Sequence, residues 1–104
     1  MPFEWDENKR LSNIEKHGKD FSDAVKVFDG FVVTRQDTRA DYGEVRYVTT
    51  GLLDDTEITV IHTPRGNNIR IISVRRARIE ERKIYHEEAE KNGIELRATK
   101  RNDG

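Results

Sequence analysis

The chain has 104 residues, of which 34% are hydrophobic and 38% charged, with a formal net charge of −1. That is enough for one domain with a thin core and a highly ionic surface, and the near-neutral balance excludes a bulk coat on nucleic acid. With no cysteine there is no disulfide framework and no thiolate chemistry. No apolar run is as long as a membrane span, and the opening M-P-F-E-W-D has no signal-peptide pattern, so a cytoplasmic protein is expected.

Taken in order, Phe3-Glu4-Trp5 reads as a short edge strand or an aromatic anchor. Asp6 is a good N-cap for a helix that places Leu11, Ile14 and the stem of Arg10 on one face and closes at Lys16-His17-Gly18, with Gly18 as C′. A second helix is predicted from Ser22 to Asp29-Gly30, with Phe21 stapled onto Val25, which makes a helical hairpin. Phe31 to Thr34 reads as a strand, and residues 35–43 as a polar loop. Residues 44–53 and 57–63 form two strands joined by a tight hairpin at Asp54-Asp55. A turn at residues 64–68 leads into the β-branched strand Ile69–Val74. From Ala77 charged helix-formers run to a stop at Asn92-Gly93.

The expected fold is α+β: an N-terminal helical hairpin packed on a twisted antiparallel sheet of four to five strands, meander in type, with a C-terminal helix. Residues 1–93 form the single domain, and 94–104 read as a tail.

The charge is uneven along the chain. Residues 65–83 carry seven basic and two acidic groups, whereas residues 1–64 carry eight basic and thirteen acidic ones. Arginines on a strand and the helix after it are candidates for phosphate, because the guanidinium fork donates to two oxygens at once. The bland alternative is a solvated face of surface pairs. No zinc spacing, P-loop, dinucleotide fingerprint or nucleophile elbow occurs, so no metal or cofactor is expected.

What remains is acid–base chemistry with cations. Metal-free RNA cleavage uses the 2′-OH as nucleophile on the adjacent phosphate, and needs a proton acceptor, a proton donor and positive charge on the phosphorane. Neighbouring strands are candidates to bring together His62, Arg70, Arg75, Arg76 and Tyr85. His62 is equally a histidine satisfied within the sheet, His17 equally a helix cap, and His86 reads as a surface residue. On these residues alone a phosphate-handling enzyme and an inert binding domain both fit.

Six motifs in order carry a resemblance: F-E-W-D (3–6), N-x-x-K-H-G (13–18), F-x-x-A-x-x-V-F (21–28), R-Y-x-x-x-G (46–51), R-I-I-S-V-R-R-A (70–77) and E-R-x-x-Y (81–85). Together the chain resembles the BrnT family, toxins of type II toxin–antitoxin pairs. The resemblance implies a RelE-like fold and a metal-independent endoribonuclease that stops translation. It also implies neutralisation by a BrnA-like antitoxin with a ribbon-helix-helix DNA-binding part; since the chain's net charge gives no basic stripe, operator DNA is expected to be bound only through that antitoxin, with a dimer expected inside the complex. Carried over by motif, the site takes Arg75 and Arg76 from the last strand, Tyr85 from E-R-x-x-Y, and Lys16 and His17 from K-H-G. Val74 departs from the usual alanine.

The expected roles are therefore these. Arg75 and Arg76 stabilise the phosphorane, His17 or His62 is the base, and Tyr85 or the other histidine protonates the leaving oxygen. Lys16, Arg46, Arg65 and Arg70 contact RNA. The rival is a catalytically inactive module whose arginines bind an acidic protein or RNA. Phe31, Tyr42 and Trp5 are expected to offer apolar surface to a partner.

Overall fold

A computed structural model of the chain describes residues 2–96. Five strands form one sheet in the order β1-β5-β4-β3-β2, where β1 is Phe3–Trp5, β2 Val33–Asp37, β3 Arg46–Leu53, β4 Thr56–Arg65 and β5 Asn68–Arg76. Helix α1 spans Glu7–His17, the short α2 Phe21–Ala24, and α3 Ile79–Lys91. None of the helices among the described residues is long and apolar enough to cross a membrane.

The fold is α+β, with two departures from expectation. Strands β2 to β5 are an antiparallel meander, but β1 pairs with β5 in parallel, which makes the sheet mixed. The chain leaves β1 through α1 and α2 and returns only after three further strands, so β1 and β5 run the same way. The second arm of the helical hairpin is also brief: α2 gives one α turn, and Val25–Asp29 continues as a 3-10 turn. Its β-branched Val25 and Val27 are poor helix-formers. Val27 is pressed so close to β3 that a Cβ on Gly51 would lie 2.9 Å from its own Cβ. Asp20, two residues before the predicted start, caps α2 by accepting the backbone N–H of Ser22 at 3.0 Å.

The sheet has two unlike faces. The packed face carries Ile58, Val60, Ile71 and Val74 against Phe21, Ala24 and Val27, with Phe3, Trp5, Phe28 and Ile69 around them. Val74, the departure from alanine, is fully buried there and fills the core. Ile71 and Val74 are three apart, so a regular strand would send them to opposite faces. A bulge resolves this: Ile61 pairs with Ser73 and His62 with Ile71, leaving Ile72 as the extra residue.

Among the described residues, α3 covers one end of the opposite face. Glu81, Tyr85 and Ala89 lie inward at helical spacing, and Tyr85 packs with Leu52, Val33 and Phe31. Leu96, in the segment expected to be tail, is buried against Tyr85 and Ala89; the rest of that tail lies outside the described residues. The rest of this face, the open face, carries no helix among the described residues.

Helix α1 begins and ends as its sequence reads. Asp6 accepts the backbone N–H of Lys9 at 3.1 Å, and left-handed Gly18 donates its N–H to the carbonyl of Ile14 at 2.8 Å. Its seam differs from the expected one. Leu11 is half exposed, and the buried residue is Asn13. The amide of Asn13 accepts the N–H of Val74 at 3.1 Å and donates to the Val74 carbonyl at 2.8 Å and to that of Lys19 at 2.9 Å. One side chain thus ties α1 to β5 just past the bulge.

Candidate active cleft

Successive residues of a strand point to opposite faces. Arg75 lies on the open face and donates two hydrogen bonds to Glu81, at 2.7 and 2.9 Å. Arg76 follows Val74 toward the packed side and is exposed at the strand end. The two expected phosphorane ligands therefore do not converge.

Glu81 is the hub of a small network. Its carboxylate also accepts the N–H of Arg78 at 2.8 Å and the hydroxyl of Thr59 at 3.0 Å, and Arg35 reaches it at 3.4 Å. Burial pushes the Glu81 carboxyl up, but the Arg75, Arg78 and Thr59 bonds outweigh it and bring it down to about 2. Carboxylates partner the other arginines of this face and its rim in the same way. Arg39 binds Asp37 at 2.9 Å, Arg46 binds Glu44 at 3.0 Å, and Arg70 binds Glu4 at 2.7 Å. Arg65 is exposed in the β4–β5 turn.

His62 lies on the packed face. It shares a 2.7 Å hydrogen bond with the Thr49 hydroxyl, stacks on Tyr47 and meets the edge of Phe28. Burial lowers its pKa to about 4, so at neutral pH it is an uncharged core residue. Tyr85 is likewise enclosed: its hydroxyl donates to the Phe31 carbonyl at 2.8 Å, and burial, with the Glu57 charge, raises its pKa to about 12. His86 binds Glu57 on the α3 side. Of the aromatics expected as partner surface, Trp5 packs edge-on to Phe21 and Phe31 lies against Tyr85, while Tyr42 sits under Arg46.

Lys16 and His17 are placed differently. Strand β1 pairs only with Ile69–Ile71, so past Ile71 the edge of β5 is left to α1. Between them lies a cleft of about 300 Å³ lined by Asn8, Lys9, Ser12, Asn13, Lys16 and His17 from the helix and by Ile72 and Ser73 from the bulge. Residues 9, 12, 13 and 16 form one stripe of the helix, so the cations stand along the cleft. Among the described residues, the side chains of Lys9, Lys16 and His17 have no hydrogen bond or ion pair. Ser73 shares a cross-strand row with Ile61, Val48 and Arg35, so the cleft continues onto the open face.

The cleft thus joins an exposed imidazole, two free ammonium groups and two serine hydroxyls, the ingredients for binding a phosphodiester and moving a proton beside it. Among the described residues no three His, Asp or Glu side chains are grouped to hold a metal ion. Lys9, Ser12, Asn13 and Ser73 line the cleft without having been singled out from the sequence, although Asn13 opens the N-x-x-K-H-G motif and the bulge interrupts the R-I-I-S-V run.

A family model described as "Ribonuclease toxin, BrnT, of type II toxin-antitoxin system" matches residues 5–81, a span that includes α1, the rest of the sheet beyond the first residues of β1, and the start of α3. No curated protein matches the chain.

Proposed function

The chain belongs to the BrnT family of ribonuclease toxins from type II toxin–antitoxin systems, and from that premise we propose that it cleaves RNA at the α1/β5 cleft without a metal ion, and so stops translation. The observation that carries this reading is a set of cations unpaired among the described residues: His17, Lys16 and Lys9 line one cleft, and Asn13 fixes their helix to the strand opposite.

In this reading the RNA phosphate lies between α1 and the bulge. His17 takes the proton from the 2′-OH as its oxygen attacks phosphorus, and the ammonium groups of Lys9 and Lys16 offset the charge that grows on the phosphorane. The bond from phosphorus to the 5′ oxygen breaks, that oxygen takes a proton from Lys16, and the products end in a 2′,3′-cyclic phosphate and a 5′-OH. Arg70 and Arg65 flank the path of the strand. His62, Tyr85 and Arg75 support the fold around the site.

A type II toxin has an antitoxin protein partner. We take it to be a BrnA-like protein with a ribbon-helix-helix part that covers the cleft, with operator DNA bound through that part and the complex held in the cytoplasm. Free lysines in the cleft favour an acidic segment from such a partner, since complementary charge speeds the encounter.

Purified protein incubated with single-stranded RNA in EDTA tests the reaction. The expected products carry cyclic phosphate ends, and His17→Ala yields none at comparable folding. Cleavage lost in EDTA and restored by magnesium would overturn the mechanism, and RNA bound but left intact would favour the inactive binding module.

A further inference from the structure

The loop between β2 and β3, residues 38–45, is more ordered than a connector needs to be. At its base the buried Asp37 accepts the N–H and Nε of Arg39 at 3.2 and 2.9 Å, the Arg39 Nη2 at 2.9 Å and the Tyr42 hydroxyl at 3.1 Å. The Arg39 bonds hold the Asp37 carboxyl far below the ordinary carboxylate range, so the clamp stays charged. Asp41 accepts the N–H of Gly43 at 3.0 Å, and Gly43 turns the chain at a φ of 71°. The result presents the Tyr42 ring at the rim of the open face, with the Arg46 guanidinium 4.2 Å over its centre.

Arg46 is held from its other side by Glu44 at 3.0 Å. Its charge is already partnered, which makes it a weak phosphate trap. Its plane, however, is fixed, and a fixed guanidinium on an aromatic ring offers a flat surface of base-like size. Unpaired RNA bases stack on such planes, as they do on aromatic rings.

The position suits a strand entering the cleft. Arg46 lies on β3 two residues from Val48, whose row ends at Ser73 on β5. Two strand spacings and two residues along the strand put its backbone roughly 12 Å from that of Ser73. Half-buried Ile61 lies between, over buried Val48 and Thr63, so no charged residue of these strands interrupts the path. We propose that Tyr42 and Arg46, braced by Asp37 and Glu44, form a stacking platform for one unpaired base of the RNA strand whose backbone occupies the α1/β5 cleft. This rests on the ribonuclease reading above for the path of the strand, and it makes single-stranded RNA the substrate class and this loop the source of site preference.

The test compares Tyr42→Leu, which keeps bulk and removes the ring, with Tyr42→Phe, which keeps the ring and removes the bond to Asp37. Binding is read by fluorescence anisotropy of a short, uncleavable 2′-O-methyl oligoribonucleotide, and cleavage positions are mapped on a longer unstructured RNA. Tyr42→Leu is expected to weaken binding roughly five- to a hundredfold and to blur the cleavage pattern, while Tyr42→Phe stays within about twofold. Equal losses in both variants would mean that the loop's shape matters and the ring does not, and would overturn the platform. Unchanged binding and pattern in Tyr42→Leu would overturn it too, while wild-type cleavage leaves the cleft reading standing. Ring-dependent binding by a wild-type protein that never cuts RNA would support the platform and sink the ribonuclease reading.

Discussion

Two arrays of positive charge face each other across β5, and they are built in opposite ways. On the open face and its rim Arg35, Arg39, Arg46, Arg70 and Arg75 each have a carboxylate within 3.4 Å. In the cleft along α1, Lys9, Lys16 and His17 have none among the described residues. A paired guanidinium has already exchanged water for a fixed partner, and a phosphate must displace that partner to bind it. An ammonium still in water gives up only its hydration. Arginine density along the sequence therefore marks where the sheet is held together, and the sparser lysines mark where an anion has room.

That contrast breaks most visibly at Arg75. Removing it takes from the buried, charged Glu81 its one close cation, leaving the half-exposed Arg35 at 3.4 Å, and breaking a buried pair typically costs about 3–5 kcal/mol. Arg75→Ala should lower the melting temperature by more than about 10 °C, while the folded fraction still cuts RNA. Pairing it with Glu81→Leu should recover much of the loss. A melting temperature equal to wild type, measured by calorimetry, would show that the pair is not holding α3 to the sheet.

The cleft should respond the other way round. Losing a base or a transition-state cation costs on the order of 10² to 10³ in rate. His17→Ala and Lys16→Ala, both at exposed positions, should lose that much in single-turnover cleavage with a melting temperature within about 2 °C of wild type. Retained rates in both would move the chemistry to the open face.

The sequence carries the frame of this fold more plainly than the division of its charges. The caps of α1, the tight turn at Asp54-Asp55 and the stop of α3 near Asn92-Gly93 follow from local chemistry, and they position much of the frame. The parallel pairing of β1 was not legible, because three residues carry no signal of direction. The bulge at Ile72 hid inside a β-branched run that scores as a regular strand whichever way its residues point. Arg75 and Arg76 looked like a pair because they are adjacent in sequence, although strand alternation sends them to opposite faces, and their partners were equally hidden. Glu81 lies six residues from Arg75, a spacing that means nothing until a strand and a helix fold against each other.

Acid sharpens the comparison at a smaller scale. His62 titrates near 4 in the fold against an ordinary 6.5, so the unfolded chain binds its proton first as pH falls. The stability contributed by neutral His62 is whole above pH 6.5 and is lost toward pH 4, at most about 3 kcal/mol. Glu81, lowered from 4.5 to about 2, adds its own loss only below pH 4.5. Urea midpoints followed from pH 7 to 4 should fall, and His62→Gln should flatten that slope; a flat wild-type profile would place His62 in water.

The smallest effect is expected at the sheet edge. Arg70 and Glu4 are each about one-third exposed, and such pairs contribute only a small part of what a buried pair does. Arg70→Ala should shift stability by no more than that and weaken RNA binding a few-fold, more at low salt than at high. A loss comparable to that of Arg75→Ala, in the same melting assay, would erase the difference between edge and centre.

The central claim is that RNA phosphate sits in the α1/β5 cleft, and backbone amide NMR reads it directly. Titrating isotope-labelled protein with an uncleavable 2′-O-methyl oligoribonucleotide should move Ser12, Lys16, His17, Gly18 and Ser73 early and strongly, with smaller shifts at Tyr42 and Arg46. Arg75, Glu81 and Thr59 should stay near their free positions. Saturating shifts at Arg75 and Glu81, with α1 and Ser73 unmoved, would contradict the account.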